Sequence, residues 1–199
     1  MARKKKDLTF DLNNFSSHFR GESDRACAVL GAALLDSRLE GLYRRRLRDL
    51  ADELLSSGPL GPFSARIKLA HALAWIGELV YRDLETIRSI RNDFAHDFDH
   101  GLSFADASIE GRCNNLRVAQ VVAEAHEYAA TQGHPTYGAA AIRAMGSSMY
   151  GTPRKRFETT VEMIAQHLDQ IPGDGSPYSG LDLEQDLWTL ASFGHARPV

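Results

Sequence analysis

The sequence predicts an all-α protein, a single bundle of about six helices around a central antiparallel hairpin. Two observations carry this. Nowhere do Val, Ile, Thr and aromatic residues alternate with polar ones for a convincing length, so strand signals are scarce. Apolar residues recur instead at helical spacing, interrupted by Gly/Pro clusters. The length suits one helical domain over residues 1–172 and a flexible C-terminal tail over 173–199.

Residues 9–19 form an amphipathic entry helix through Phe10, Leu12, Phe15 and Phe19. A long helix follows over 22–48, with Leu30, Leu34, Leu35 and Leu42 on one side and Cys27 and Gly31 beside them. Its small residues Gly31, Ala32 and Ala33 let another helix approach closely. Glu22 and Asp24 open it and Arg44, Arg45, Arg46 and Arg48 close it, an order that complements the helix dipole. A short helix over 49–56 ends at Ser56-Ser57-Gly58-Pro59, and Gly58 to Pro62 is a loop by composition.

The hairpin comes next. One arm spans 63–76, burying Phe63, Ile67, Ala70, Leu73 and Ala74, and stops at Gly77. The other spans 78–96, burying Val80, Leu84, Ile87, Ile90 and Phe94. After a loop over 97–104, a helix over 105–131 carries Ile109, Leu116, Val118, Val121 and Val122 and breaks at Gly133-His134-Pro135. A weakly helical Gly/Ala-rich stretch over 136–151 leads to a last helix over 152–170. In the tail, Leu187, Trp188, Leu190 and Phe193 form one apolar cluster suited to docking as a final turn.

With 23 basic and 26 acidic residues, the net charge of −3 argues against a surface that grips nucleic acid as a whole. Nothing resembles a dedicated DNA-reading motif. The two cysteines, Cys27 and Cys113, have no partner at metal-ligand spacing and read as buried hydrophobes in a reducing compartment. No stretch is apolar for long enough to cross a bilayer. The basic run Arg3 to Lys6 is followed by Asp7-Leu8-Thr9-Phe10, not by a signal-peptide core, so the expected location is cytoplasmic. No cofactor is expected.

Polar groups crowd the end of the 78–96 helix, at Arg88-Ser89-Ile90-Arg91-Asn92-Asp93-Phe94-Ala95-His96-Asp97. Arg88, Asn92 and His96 share one flank at i, i+4, i+8. Arg91 falls nearer the apolar edge and calls for acidic partners, for which Glu22 and Asp24 are the candidates. The structural expectation is a network of Glu22, Asp24, Arg88 and Arg91 pinning the hairpin to the long helix. The chemical alternative has His96 moving a proton while arginines hold a phosphate. Arg91 and His96 stand roughly 140° apart around one helix, so they would meet only by distortion or across two subunits. His96 and His100 suit a metal only if the helix continued to Gly101, and the composition ends it earlier, so no metal is expected. His71 reads as a satisfied core histidine. The triplet Arg154-Lys155-Arg156 opposes the dipole of the helix it opens, which suggests an acidic contact.

Four segments resemble the mannitol operon repressor (MltR) family. They are Glu22-Ser23-Asp24-Arg25 with Leu30 to Asp36, Gly58-Pro59-Leu60-Gly61-Pro62-Phe63-Ser64-Ala65-Arg66-Ile67, Ile87 to His96, and Cys113-Asn114-Asn115-Leu116. The resemblance covers about 15–120. It implies a helical transcriptional regulator that acts through partner proteins, among them another transcription regulator, and that forms a homo-oligomer. The Arg91-x4-His96 spacing also resembles the motif of HEPN domains, many of which are metal-independent ribonucleases, so the alternative to a regulator is an HEPN-type endoribonuclease or nucleotide-binding domain. That resemblance implies catalytic Arg91 and His96 with Asn92 in support, and RNA as partner. The breadth of the first resemblance favours a regulator over an enzyme.

Overall fold

The computed structural model describes residues 12–56, 58–98, 101–133, 137–174 and 183–191. The basic N-terminal run, Phe10, Asp99, His100, Phe193 and most of the linker after Asp174 lie outside them. All regular structure among the described residues is helical. The helices are α1 (Leu12–Gly21), α2 (Asp24–Leu47), α3 (Ala51–Ser56), α4 (Phe63–Ala72) and α5 (Glu78–His96), followed by α6 (Ala107–Asn114), α7 (Arg117–Gln132), α8 (Ala139–Tyr150), α9 (Pro153–Gln170) and α10 (Leu183–Ala191), with a 3-10 turn between α2 and α3. Among the described residues ten helices are found in place of a bundle of about six: the helix expected over 105–131 is divided, and the short segments expected beside the main helices, with part of the tail, are helices in their own right.

Helix α2 is the spine, packed chiefly against α9 and α5. The close approach expected at Gly31 is made to α9. A Cβ there would stand 3.0 Å from the Phe157 ring and 3.1 Å from Val161. Leu34, Leu35, Leu39 and Leu42 are buried beneath, whereas Leu30, expected in the core, is 41% exposed. The arginines closing α2 do more than complement a dipole. Arg45 donates to the Leu168 carbonyl at 2.8 Å and Arg46 to the Pro172 carbonyl at 3.1 Å, so they cap the end of α9.

Three elements differ from expectation. Helix α4 stops at Ala72 because the Ala74 N–H turns back to the His71 carbonyl and the Trp75 N–H to the Ala70 carbonyl, with Ala74 left-handed at φ 53°. Leu73 and Ala74 are therefore outside the core. The 105–131 helix divides at Asn115-Leu116, where Leu116 is extended and α7 starts afresh. Leu187, Trp188 and Leu190 of the tail fall in α10, which rests on α7 with Leu183, Leu187 and Trp188 buried.

Candidate functional site

The end of α5 is built into a corner. Arg25, in the first turn of α2, donates to the Asp97 carbonyl at 2.6 Å and to the Ala95 carbonyl at 3.3 Å, satisfying acceptors that the helix end leaves open. The Asp97 carboxylate accepts from the Leu102 N–H at 2.8 Å, and Asp24 accepts from the Phe104 N–H at 2.9 Å, which returns the 97–104 loop to α2. Arg154 closes the corner from α9. It reaches Asp24 at 2.8 Å, Glu158 at 2.8 Å, and the carbonyls of Arg20 at 3.1 Å and Glu22 at 2.7 Å. The acidic contact expected of the 154–156 triplet is this one. Phe104 sits between the Phe94 and Phe157 rings, 5.1 Å from each.

The network expected among Glu22, Asp24, Arg88 and Arg91 is replaced by this one. Asp24 pairs with Arg154, and Glu22 contributes its carbonyl. Arg88 pairs with Glu85 one turn back, at 2.8 Å. Arg91 is exposed and donates to the Asn92 Oδ1 at 3.1 Å. The reason is geometric. Arg25 is the arginine that reaches the carbonyls at the helix end, and α9 supplies to Asp24 a cation that no pattern local to α2 or α5 reveals. His96 is exposed at the last turn of α5, its ring 6.4 Å from that of Phe98. Asp93, on the same turn, pairs with Arg112 of α6.

Beside the corner, α2, α4 and α5 enclose a cleft of about 340 Å³. Arg88, Arg91 and Asn92 line it from α5, Phe63 and Ser64 from α4, and Asp36 with small residues from α2. His96 is not part of this lining. Asp36 is held by the buried Arg66, whose Nε donates to it at 3.0 Å. Arg66 also donates to the carbonyls of Leu60 at 2.8 Å and Gly61 at 2.9 Å, and its own carbonyl accepts from Tyr43 at 2.8 Å. The Gly58–Pro62 loop is thereby fixed to α2. Gly58 has to be glycine, since a Cβ would stand 2.4 Å from the Glu53 carbonyl oxygen.

Some ionisable groups are structural and were not singled out by the sequence. Asp83 of α5 is buried and accepts from the N–H groups of Arg117 at 2.9 Å and Val118 at 2.8 Å, acting as the N-cap of α7 from another helix. Burial holds its carboxyl up, at about 6, against the opposing pull of those two N–H groups. An aspartate on an otherwise apolar face was the available signal. Burial lowers His167 to about 4. It pushes the Cys113 thiol up to about 12 and Cys27 higher still, so neither cysteine is a ready thiolate. His71 stacks on Tyr81 with ring centroids 4.4 Å apart. No group of three or more metal-ligating side chains is found among the described residues, and no helix there is long and apolar enough to cross a membrane.

A profile described as mannitol repressor matches residues 50–169, more than half of the chain. The chain belongs to the mannitol repressor family. The match begins later and runs further than the expected 15–120. It takes in α8 and α9 and leaves α1 and α2 outside it. Membership of a repressor family points to transcriptional regulation. No curated protein and no solved structure matches the chain.

Proposed function

We propose that this member of the mannitol repressor family regulates transcription through contacts with other proteins rather than by reading DNA itself, and that it works as a homo-oligomer in the cytoplasm. The observation that carries the proposal is the family match over residues 50–169. The disposition of charge supports the mode of action. Duplex DNA is gripped by cations free to replace its counterions. Here Arg20, Arg44, Arg112, Arg117, Arg143 and Arg154 each face a carboxylate. Arg45 and Arg46 are turned onto backbone carbonyls.

The test pairs two measurements. Cells lacking the chain should show changed transcript levels for a defined operon, while the purified chain alone leaves that operon's DNA unshifted in a gel. A sequence-specific shift by the purified chain overturns the proposed mode of action. RNA cleavage in chelator by the wild type, lost in His96→Ala, would replace the regulator with a ribonuclease.

A further inference from the structure

The geometry points to the cleft between α2, α4 and α5 as a binding site for a small hydroxylated organic anion, with its oxyanion on Arg91, Asn92 and Ser64 and a hydroxyl on Asp36. Arg91 has no ion pair among the described residues, and its one hydrogen bond goes to a neutral amide. Arg88 lines the same cleft with its charge matched by Glu85, and Asp36 does so with its charge matched by Arg66. The cleft therefore carries one uncompensated positive charge, which suits an anion.

The remaining donors agree. Asn92 offers its Oδ1 to Arg91, which leaves its amide N–H groups for a ligand. The Ser64 hydroxyl has no hydrogen bond among the described residues. Asp36 receives Arg66 at Oδ1 only, so Oδ2 is left to accept from a ligand hydroxyl. Arg66 is itself buried and fixed at four acceptor contacts, so that carboxylate is held in place before any ligand arrives. The volume, about 340 Å³, lies at the small end of ligand sites. The small side chains Val29, Ala32 and Ala33 leave the space unfilled, and Phe63 supplies one apolar wall. A phosphate ester and a carboxylate share the required chemistry.

That such a ligand would act as an effector rests on the regulator reading, but its binding does not. Transcript levels test the regulator, and titration of the purified full chain tests the cleft. Glycerophosphate, glycerate, inorganic phosphate and glycerol are titrated at constant ionic strength and followed by proton–nitrogen correlation spectra. Saturable shifts of the Arg91 Nε–H and Asn92 amide signals are expected with glycerophosphate or glycerate, and none with glycerol. The better of the two names the oxyanion. Arg91→Ala should weaken binding by about tenfold or more while melting as the wild type does. Binding of the organic anion no tighter than that of inorganic phosphate overturns the role given to Asp36. Shifts that never saturate, or that survive unchanged in Arg91→Ala, overturn the site.

Discussion

Two ends of one arginine-rich segment behave in opposite ways. At the corner, the carbonyls of Ala95 and Asp97 and the Asp97 carboxylate are all engaged. Arg25 holds the last carbonyls, Asp97 and Asp24 hold the loop that follows, and Arg154 ties Asp24 to α9. About a turn upstream, Arg91 and Asn92 hold only each other and face an open cleft. The comparison separates what builds this helix end from what it leaves available. Main-chain acceptors and carboxylates do the building. Of the polar side chains in the Arg91–His96 segment, only Asp93, paired with Arg112, bonds to another helix among the described residues.

The comparison can be broken or sharpened by substitution. The largest effect is expected from Arg154→Ala, which strands Glu158 and Asp24 in half-buried or buried surroundings. Urea unfolding should show a loss of roughly 3 kcal/mol, and a loss near zero would remove α9 from the corner. Asp83→Ala comes next. It leaves the Arg117 and Val118 N–H groups without their acceptor and should cost roughly 2 kcal/mol. Amide exchange should quicken first at the start of α7. His96→Ala should be the smallest, within about 0.5 kcal/mol of the wild type by the same urea assay, as for other exposed substitutions.

Between these sizes lies a dependence on pH. His167 is lowered to about 4 by burial, against roughly 6.5 in the unfolded chain. Below about 6.5 the unfolded chain gains a proton that the folded chain refuses, so the contribution of His167 is full above that pH and is lost as pH falls through about 4. Asp83, raised to about 6, works in the other direction, since its contribution is full below about 4 and lost as pH rises through about 6. Each slope masks the other in the wild type. The stability difference between wild type and His167→Gln should therefore shrink steadily from pH 7 to pH 4. A difference that stays constant would mean that His167 protonates alike in both states.

The fold was legible where its causes are local. Helix α5 runs over the very residues that its apolar spacing marks, and the boundaries of α2 and α9 fall within two residues of expectation. Gly31 was correctly read as a place of close approach, although the sequence did not say that α9 would come there. What was not legible depends on distant partners. The break between α6 and α7 is stabilised by Asp83, which lies 34 residues before the N–H it caps. The corner depends on Arg154, which lies 130 residues beyond Asp24. The contact between the start of α2 and the end of α5 was foreseen, but through Arg91 in place of Arg25. Spacing on an ideal helix gives the direction of a side chain, not which of two arginines arrives first.

The most direct measurement sets Arg25→Ala against Arg91→Ala in parallel urea unfolding at neutral pH. If the end of α5 is held by the first turn of α2, Arg25→Ala loses about 2 kcal/mol and Arg91→Ala unfolds with the wild type. The reverse outcome, with Arg91→Ala destabilised and Arg25→Ala unchanged, would contradict the account.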